Sequence, residues 1–407
     1  MGVVEDGAVA VKDGRIVAVG TTDEVTAAYR AEEELDLDGF VVMPGFVDCH
    51  THPVFAATRE REFHMRCAGA DYMAIAQAGG GILSSMRDVR AASLEALTER
   101  TERNLWRFLE HGSTTIEAKG GYGLSLDAEQ KSMQALDAAA AMVPLTLKRT
   151  FLGAHEFPPE YREDRDEYVR IVCEEMIPAL APMADYCDVF AEPGVFTLEQ
   201  SERVLRAGLA AGLRLRAHVD EIQPMGGTEM AVALGADTVD HLGQISDDGI
   251  AAVAASDTTG VILPGTIFFL AKTGYAPARK MIEAGCAVAL ATDFNPGSSH
   301  TQSMTLIHTI ACTQMKMSVE ECIVASTINP AFSLQLDHEV GTLHPGKRAD
   351  LCVLDIPSYR ALGYAFGGNP VAMTIKDGVP VVANVADRQP DWFADGVVLD
   401  GEDEDAV

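Results

Sequence analysis

Short apolar runs alternate with longer amphipathic stretches along most of this chain, and that alternation restricts the fold more than any other feature. Eight runs read as strands: Phe46–His52, Thr114–Lys119, Leu147–His155, Tyr186–Glu192, Leu213–Glu221, Thr238–Leu242, Gly260–Thr266 and Ala287–Asn295. Stretches with helical spacing of apolar residues lie between most of them, such as Ser93–His111 and Leu198–Ala211. Strands joined through helices pair in parallel, because the crossover returns the chain to the same end of the sheet. Eight such units within about 250 residues suit a closed (β/α)8 barrel better than an open sheet. The expected class is therefore α/β, a TIM-type barrel. The two ends of the chain differ from its middle. Gly7–Gly20 reads as a hairpin turning at Asp13-Gly14, and Asp350–Leu354 and Ala372–Val382 are again strand-like, with a turn at Asp377-Gly378.

Charge excludes some functions. Asp and Glu number 61 against 31 Lys and Arg, a formal net charge of -30 over 407 residues. Such a surface repels nucleic acid and anionic membranes, so neither is an expected partner. The excess is spread along the chain, and the acidic tail from Asp400 to Asp405 does not account for it. A Lys-poor acidic surface of this kind suits a high-salt (halophilic) setting; an ordinary acidic protein is the alternative. Salt adaptation predicts that thermal midpoint and activity rise from dilute buffer to about 2 M KCl, as screening relieves repulsion among carboxylates. A midpoint that stays flat or falls over that range selects the ordinary protein. The eight cysteines stand singly, with no CxxC pair, which points to reduced thiols and a cytoplasmic protein. Met1 to Val11 lacks the pattern of a signal peptide, and no apolar run approaches the roughly 20 residues of a membrane helix.

The strongest local signal is Pro44-Gly-Phe-Val-Asp48-Cys-His50-Thr-His52. Residues two apart on a strand face the same side, so His50 and His52 present two imidazoles together, as a divalent metal requires. Two histidines on one strand can also be polar residues at a barrel mouth. Later strands add weight: the fifth ends near His218, the sixth near His241 and the eighth near Asp293. Strand C-termini converge on one face of a barrel, where active sites sit. A core histidine bonded to a carbonyl explains any one of these residues but not all of them together.

These motifs resemble the amidohydrolase superfamily: PGFVDxHTH, a fifth-strand His with Glu221 three residues on, a sixth-strand His, and Thr292-Asp293 followed by Asn295-Pro-Gly297-Ser298-Ser. Within it, Gly79-Gly-Gly-Ile82, Lys119-Gly-Gly-Tyr122-Gly-Leu124, Phe151-Leu-Gly-Ala-His155 and the Asp293–Ser298 loop look like the imidazolonepropionase family. The match runs from about Gly7 to about Val382. The resemblance implies one small β-sandwich-like domain formed from both ends, residues 1–43 and 347–407, around a barrel over residues 44–346. It implies that His50, His52, His218 and Asp293 hold one divalent ion per chain, Zn2+ or Fe (2+ or 3+). Dinuclear members end their fourth strand with a bridging lysine. Here that strand ends at Glu192 and Lys119 ends the second, so a single metal is expected, with Lys119 a supporting cation.

The implied reaction opens a cyclic amide, hydrolysing 4-imidazolone-5-propanoate to N-formimidoyl-L-glutamate in histidine degradation. That needs an activated water, a polarised carbonyl and a proton for the leaving nitrogen. Glu221 is a candidate general base and later acid, or else a carboxylate that orients an imidazole. His241 could bond the carbonyl oxygen or the water, and Asp293 could share in moving the proton. The substrate's carboxylate calls for an arginine fork. Arg59 matches the family's carboxylate-binding position, although an arginine in a loop is often a surface ion pair. Tyr122, His155, Asn295, Gly297 and Ser298 match substrate-contacting positions. Two departures stand out. Gly120 replaces a serine common in relatives, which alters local hydrogen bonding. The chain also begins almost at its first hairpin, where relatives usually carry an additional N-terminal strand: either the start codon was chosen late or the small sheet lacks an edge. The family resemblance suggests a homodimer. The alternatives are a mononuclear deaminase of an aminopurine or cytosine-like base, and a non-catalytic amidohydrolase-like scaffold.

Overall fold

The computed structural model of the chain describes residues 2–70, 74–75 and 78–384. The acidic tail lies outside the described residues. Eight parallel strands form one nearly closed sheet in sequence order: β4 (Phe46–Thr51), β5 (Ser113–Lys119), β6 (Thr146–Ala154), β7 (Tyr186–Ala191), β8 (Arg214–Val219), β9 (Thr238–His241), β10 (Thr259–Ile262) and β11 (Val288–Leu290). Most of their residues are buried, as both faces of a barrel strand are covered. The helices pack outside. Ser93 caps the helix Leu94–Glu110 by accepting from the Ala96 N–H, and Leu97, Leu105, Phe108 and Leu109 bury its inner face. Each large apolar side chain so buried contributes about 1.5–3 kcal/mol.

The eighth interface, between β4 and β11, is held differently. The His52 N–H donates to the Phe294 carbonyl at 2.8 Å and the Asp293 N–H to the His50 carbonyl at 3.1 Å. Asp48 adds a side-chain grip, accepting from the Thr292 N–H and hydroxyl. The last two strands are shorter than the sequence suggests. Pro264 starts the helix Pro264–Phe269, so the expected run to Thr266 stops at Ile262. Proline suits the first helical position, where its missing N–H has no partner to lose. Beyond Leu290 the chain leaves ladder geometry, and Asp293 adopts a positive φ of 51°.

The end strands make two sheets. β1 (Gly7–Lys12) and β2 (Arg15–Thr21) form the expected hairpin. β3 (Val41–Pro44), which the sequence did not disclose, joins β12 (Leu351–Leu354), β13 (Val371–Lys376) and β14 (Val379–Ala383) in an antiparallel sheet. The hairpin docks on it through an Arg15–Arg348 bridge, with Ile16 buried against Ala349, Leu351 and Ile375.

Candidate metal centre and active site

At the C-terminal mouth of the barrel, buried carboxylates orient two imidazoles. His50 donates through Nδ1 to Asp240 Oδ2 at 2.7 Å. Burial, then the Lys119 charge, holds the His50 pKa well below its ordinary value. Its ring is therefore neutral with the proton on Nδ1, and Nε2 is left as a lone pair. His218 repeats the arrangement, with Nδ1 bonded to Asp188 Oδ1 at 3.1 Å. Burial disfavours its charged form, but Asp188 outweighs that and raises its pKa. Nε2 of both rings is buried and has no hydrogen-bond partner. Asp293 Oδ1 lies 3.5 Å from His50 Nε2 and 3.6 Å from His52 Nε2. Ligand atoms of His50, His52 and Asp293 fall within 4.8 Å of one another, and so do those of His50, His218 and His241. Buried polar atoms without partners are costly and uncommon. Here two of them converge with a third imidazole and a carboxylate, a donor set that fits a divalent cation.

A layer of paired charges lies beneath these ligands. Lys119 Nζ donates to Glu117 at 2.9 Å and Asp188 at 2.8 Å, and sits 3.8 Å from Asp240. Arg216 stands 3.6 Å from Asp240 and 3.9 Å from Glu117, and all five side chains are fully buried. Burial works against the charge of Lys119, but Asp188 and Glu117 prevail and raise its pKa. Buried ions persist when they are paired. The carboxylates that orient His50 and His218 are therefore themselves held in place.

Glu221 and His241 border the same mouth, with Glu221 Oε2 3.7 Å from His241 Nδ1. Glu192, at the strand end where dinuclear relatives carry lysine, accepts from the backbone N–H groups of Glu221, Ile222 and Gln223. It fixes the segment that presents Glu221. His241 has a φ of 80°, uncommon for a residue with a bulky side chain. Asp293 has its second oxygen bonded to the Thr266 hydroxyl. Burial raises the Asp293 pKa.

Tyr122, His155 and the Asn295–Ser298 turn lie beside the metal candidates. The His52 and His155 rings stack at 5.3 Å, and Tyr122 lies 5.8 Å from His52 and 5.4 Å from His155. His155 donates through Nδ1 to the Gly121 carbonyl, and burial lowers its pKa to about 3, so it is neutral with Nε2 free. Glu129 shapes the Tyr122 loop by accepting from the N–H groups of Gly121, Gly123 and Leu124. A side chain at Gly120 would place its Cβ 2.7 Å from that carboxylate. Asn295 turns inward: Oδ1 accepts from the Gly297 and Ser298 N–H groups, and Nδ2 donates to the Asp293 carbonyl and Ser298 Oγ. It thus holds its own loop in shape. Arg59 lies against Gly297 and is paired with Glu62.

All the expected site residues meet at one mouth. Asp188, Asp240, Glu117, Arg216, Thr266, Glu192, Glu129 and Glu62 were not singled out from sequence. Period-two alternation offered a signal for some: Glu117 and Arg216 stand two residues before Lys119 and His218.

A buried histidine–aspartate cluster at the strand ends of such a barrel defines an amidohydrolase, and a sequence profile described as the amidohydrolase family matches residues 41–381. The fold is shared with solved deaminases. 5-Methylcytosine deaminase from Klebsiella pneumoniae superposes with a TM-score of 0.72 at 17% identity, covering 92% of this chain and 94% of that one. Guanine deaminase from E. coli gives 0.71 at 16%, with 93% of each chain covered. Residues 7–31 match a profile for the bacterial imidazolonepropionase-like composite domain. The imidazolonepropionase of Geobacillus kaustophilus is 47% identical over 94% of this chain and 91% of its own length, and that of Herpetosiphon aurantiacus 43% over 94% and 91%. The chain belongs to the imidazolonepropionase family. Among the described residues no helix is long and apolar enough to cross a membrane.

Proposed function

We propose that this chain hydrolyses the ring amide of 4-imidazolone-5-propanoate, giving N-formimidoyl-L-glutamate in histidine degradation. The observation that carries this choice of substrate is the Arg59 guanidinium at the mouth, seated on the Gly297 backbone in the loop that follows Asp293. A neutral base undergoing deamination needs no such cation. One divalent ion, Zn2+ or Fe, held by His50, His52, His218 and Asp293 would supply Lewis acidity and lower the pKa of a coordinated water to roughly 7.

The protein groups do the rest. Glu221 takes the proton from the attacking water and returns it to the ring nitrogen as the C–N bond breaks. His241 donates to the carbonyl oxygen as negative charge collects there. Asp293, its second oxygen fixed by Thr266, shares in the proton movement. His155 and Tyr122 flank the ring, Arg59 receives the propionate, and the Asn295–Ser298 turn walls the pocket. The unpaired cysteines support a reducing, cytoplasmic setting, and the family resemblance supports a homodimer, which sedimentation would test.

The deciding assay follows loss of ring absorbance from imidazolone propionate with metal content matched, against ammonia release from aminopurines and cytosine. Turnover of the bases alone would overturn the proposal. Arg59→Met is expected to lower kcat/KM by about 10- to 150-fold, the scale of a charge-assisted contact, with KM carrying most of the change. Lysine at this position restores only part of it, because an ammonium lacks the planar fork. An unchanged kcat/KM in Arg59→Met assigns the carboxylate to another group.

A further inference from the structure

Arg59 does not approach the mouth with its guanidinium free. Glu62, three residues on, takes its side-on edge: Nε donates to Oε1 at 2.9 Å and Nη2 to Oε2 at 2.7 Å. Both side chains are nearly withdrawn from solvent, 13% exposed for Arg59 and 8% for Glu62. Five N–H donors belong to a guanidinium. Glu62 occupies two of them, so both Nη1 hydrogens and one on Nη2 remain, and these form the end-on fork.

Glu62 is itself held from behind. Its Oε1 accepts from the Gly81 N–H at 3.0 Å, and a Cβ at Gly80 would lie 2.9 Å from the carboxylate. On the opposite side, a Cβ at Gly297 would come within 2.1 Å of Arg59 Nη1 and 2.4 Å of Cζ. The guanidinium therefore lies directly on the Gly297 backbone. Arg66 ties the same loop to the helix Glu60–Cys67, donating to the Gly297 carbonyl at 3.1 Å. Phe63 stacks on Phe269 at 5.1 Å, pinning that helix across the mouth. Gly80 behind Glu62 and Gly297 beside Arg59 thus make room for the pair by lacking side chains.

We propose that Glu62, seated in the Gly80–Gly81 turn, is the positioning residue that aims the end-on fork of Arg59 and so sets the preference for a carboxylate-bearing ring. The proposal rests on the reading that Arg59 receives the propionate. Glu62 offsets the charge of Arg59, so selectivity comes from direction rather than from bare attraction. A planar carboxylate meeting the open edge makes two parallel hydrogen bonds, whereas a neutral or misplaced group makes fewer.

The test is a double-mutant cycle of Glu62→Gln and Arg59→Met on the metal-loaded enzyme, with KM and kcat measured separately. Glu62→Gln should raise KM for imidazolone propionate about 5- to 30-fold and leave kcat within about 3-fold. It should have no further effect once Arg59 is Met. With an imidazolone lacking the propionate arm, kcat/KM should not change. If Glu62→Gln folds poorly by its thermal midpoint, the same cycle is run with Glu62→Asp, which keeps the charge but withdraws it by one methylene. Equal effects with and without Arg59, an unchanged KM, or a KM that falls because Glu62 was competing with substrate would each overturn the proposal. An Arg59→Met enzyme indistinguishable from wild type would instead remove the reading beneath it.

Discussion

Glu221→Gln is expected to keep its fold and its metal while kcat falls by about two to four orders of magnitude, the scale of positioned acid–base catalysis. Glutamine matches glutamate in size and can still approach His241, but it cannot take a proton from water or give one to nitrogen. The surroundings favour a clean result. Glu192 grips the backbone N–H groups at 221–223, so the substitution changes the head group and leaves the segment where it was. KM should move little, because the proposed propionate contact is at Arg59. Metal content and thermal midpoint, measured alongside, separate lost chemistry from lost structure. A variant that keeps near-wild-type kcat reduces Glu221 to a supporting carboxylate and places the proton path on other groups.

Chelation should abolish activity, and Zn2+ or Fe2+ should restore it at one ion per chain. Two buried Nε2 atoms without partners converge with His52 and Asp293, and the carboxylates behind them hold their rings with Nε2 turned inward. An ion bound at 1,000 times its Kd adds about 4 kcal/mol to folding stability, so the metal-free chain should also melt earlier. Elemental analysis with matched melting curves checks both. Two ions per chain at full occupancy, or full activity in demonstrably metal-free protein, would refute the mononuclear assignment.

The first six barrel strands were legible to within a residue or two, because their apolar runs end at polar residues that the mouth collects. The seventh and eighth were read too long. Pro264 opens a helix, and the left-handed turn at Asp293 redirects the chain, while both segments remain as apolar as a strand. β3 escaped notice because four residues carry no periodicity. Its strand state is imposed by pairing with β12. Among the site residues, the histidines were legible as ionisable groups at strand ends. Asp240 was not singled out, and the reason is geometric. Strict alternation sends Asp240 and His241 to opposite faces, so both cannot serve one site. The φ of 80° at His241 breaks the alternation and brings both to the mouth. Arg59 was read either as an ion-pair partner or as a free fork. In the structure one edge of it is paired and the other is open, which single-residue reasoning does not foresee.

Seven of the eight barrel interfaces are strand ladders, some with bulges; the eighth, between β4 and β11, is not a ladder. That gap runs through the site, since the bonds across it come from His50, His52, Asp293 and their neighbours. Proteins open first along their least-bonded lines. The barrel's unzipping coordinate and the ligand cluster's spacing are then a single degree of freedom. Amide exchange at His52 and Asp293 consequently gauges how firmly the mouth is fastened. Anything that bridges the gap slows that exchange whether or not any substrate is turned over.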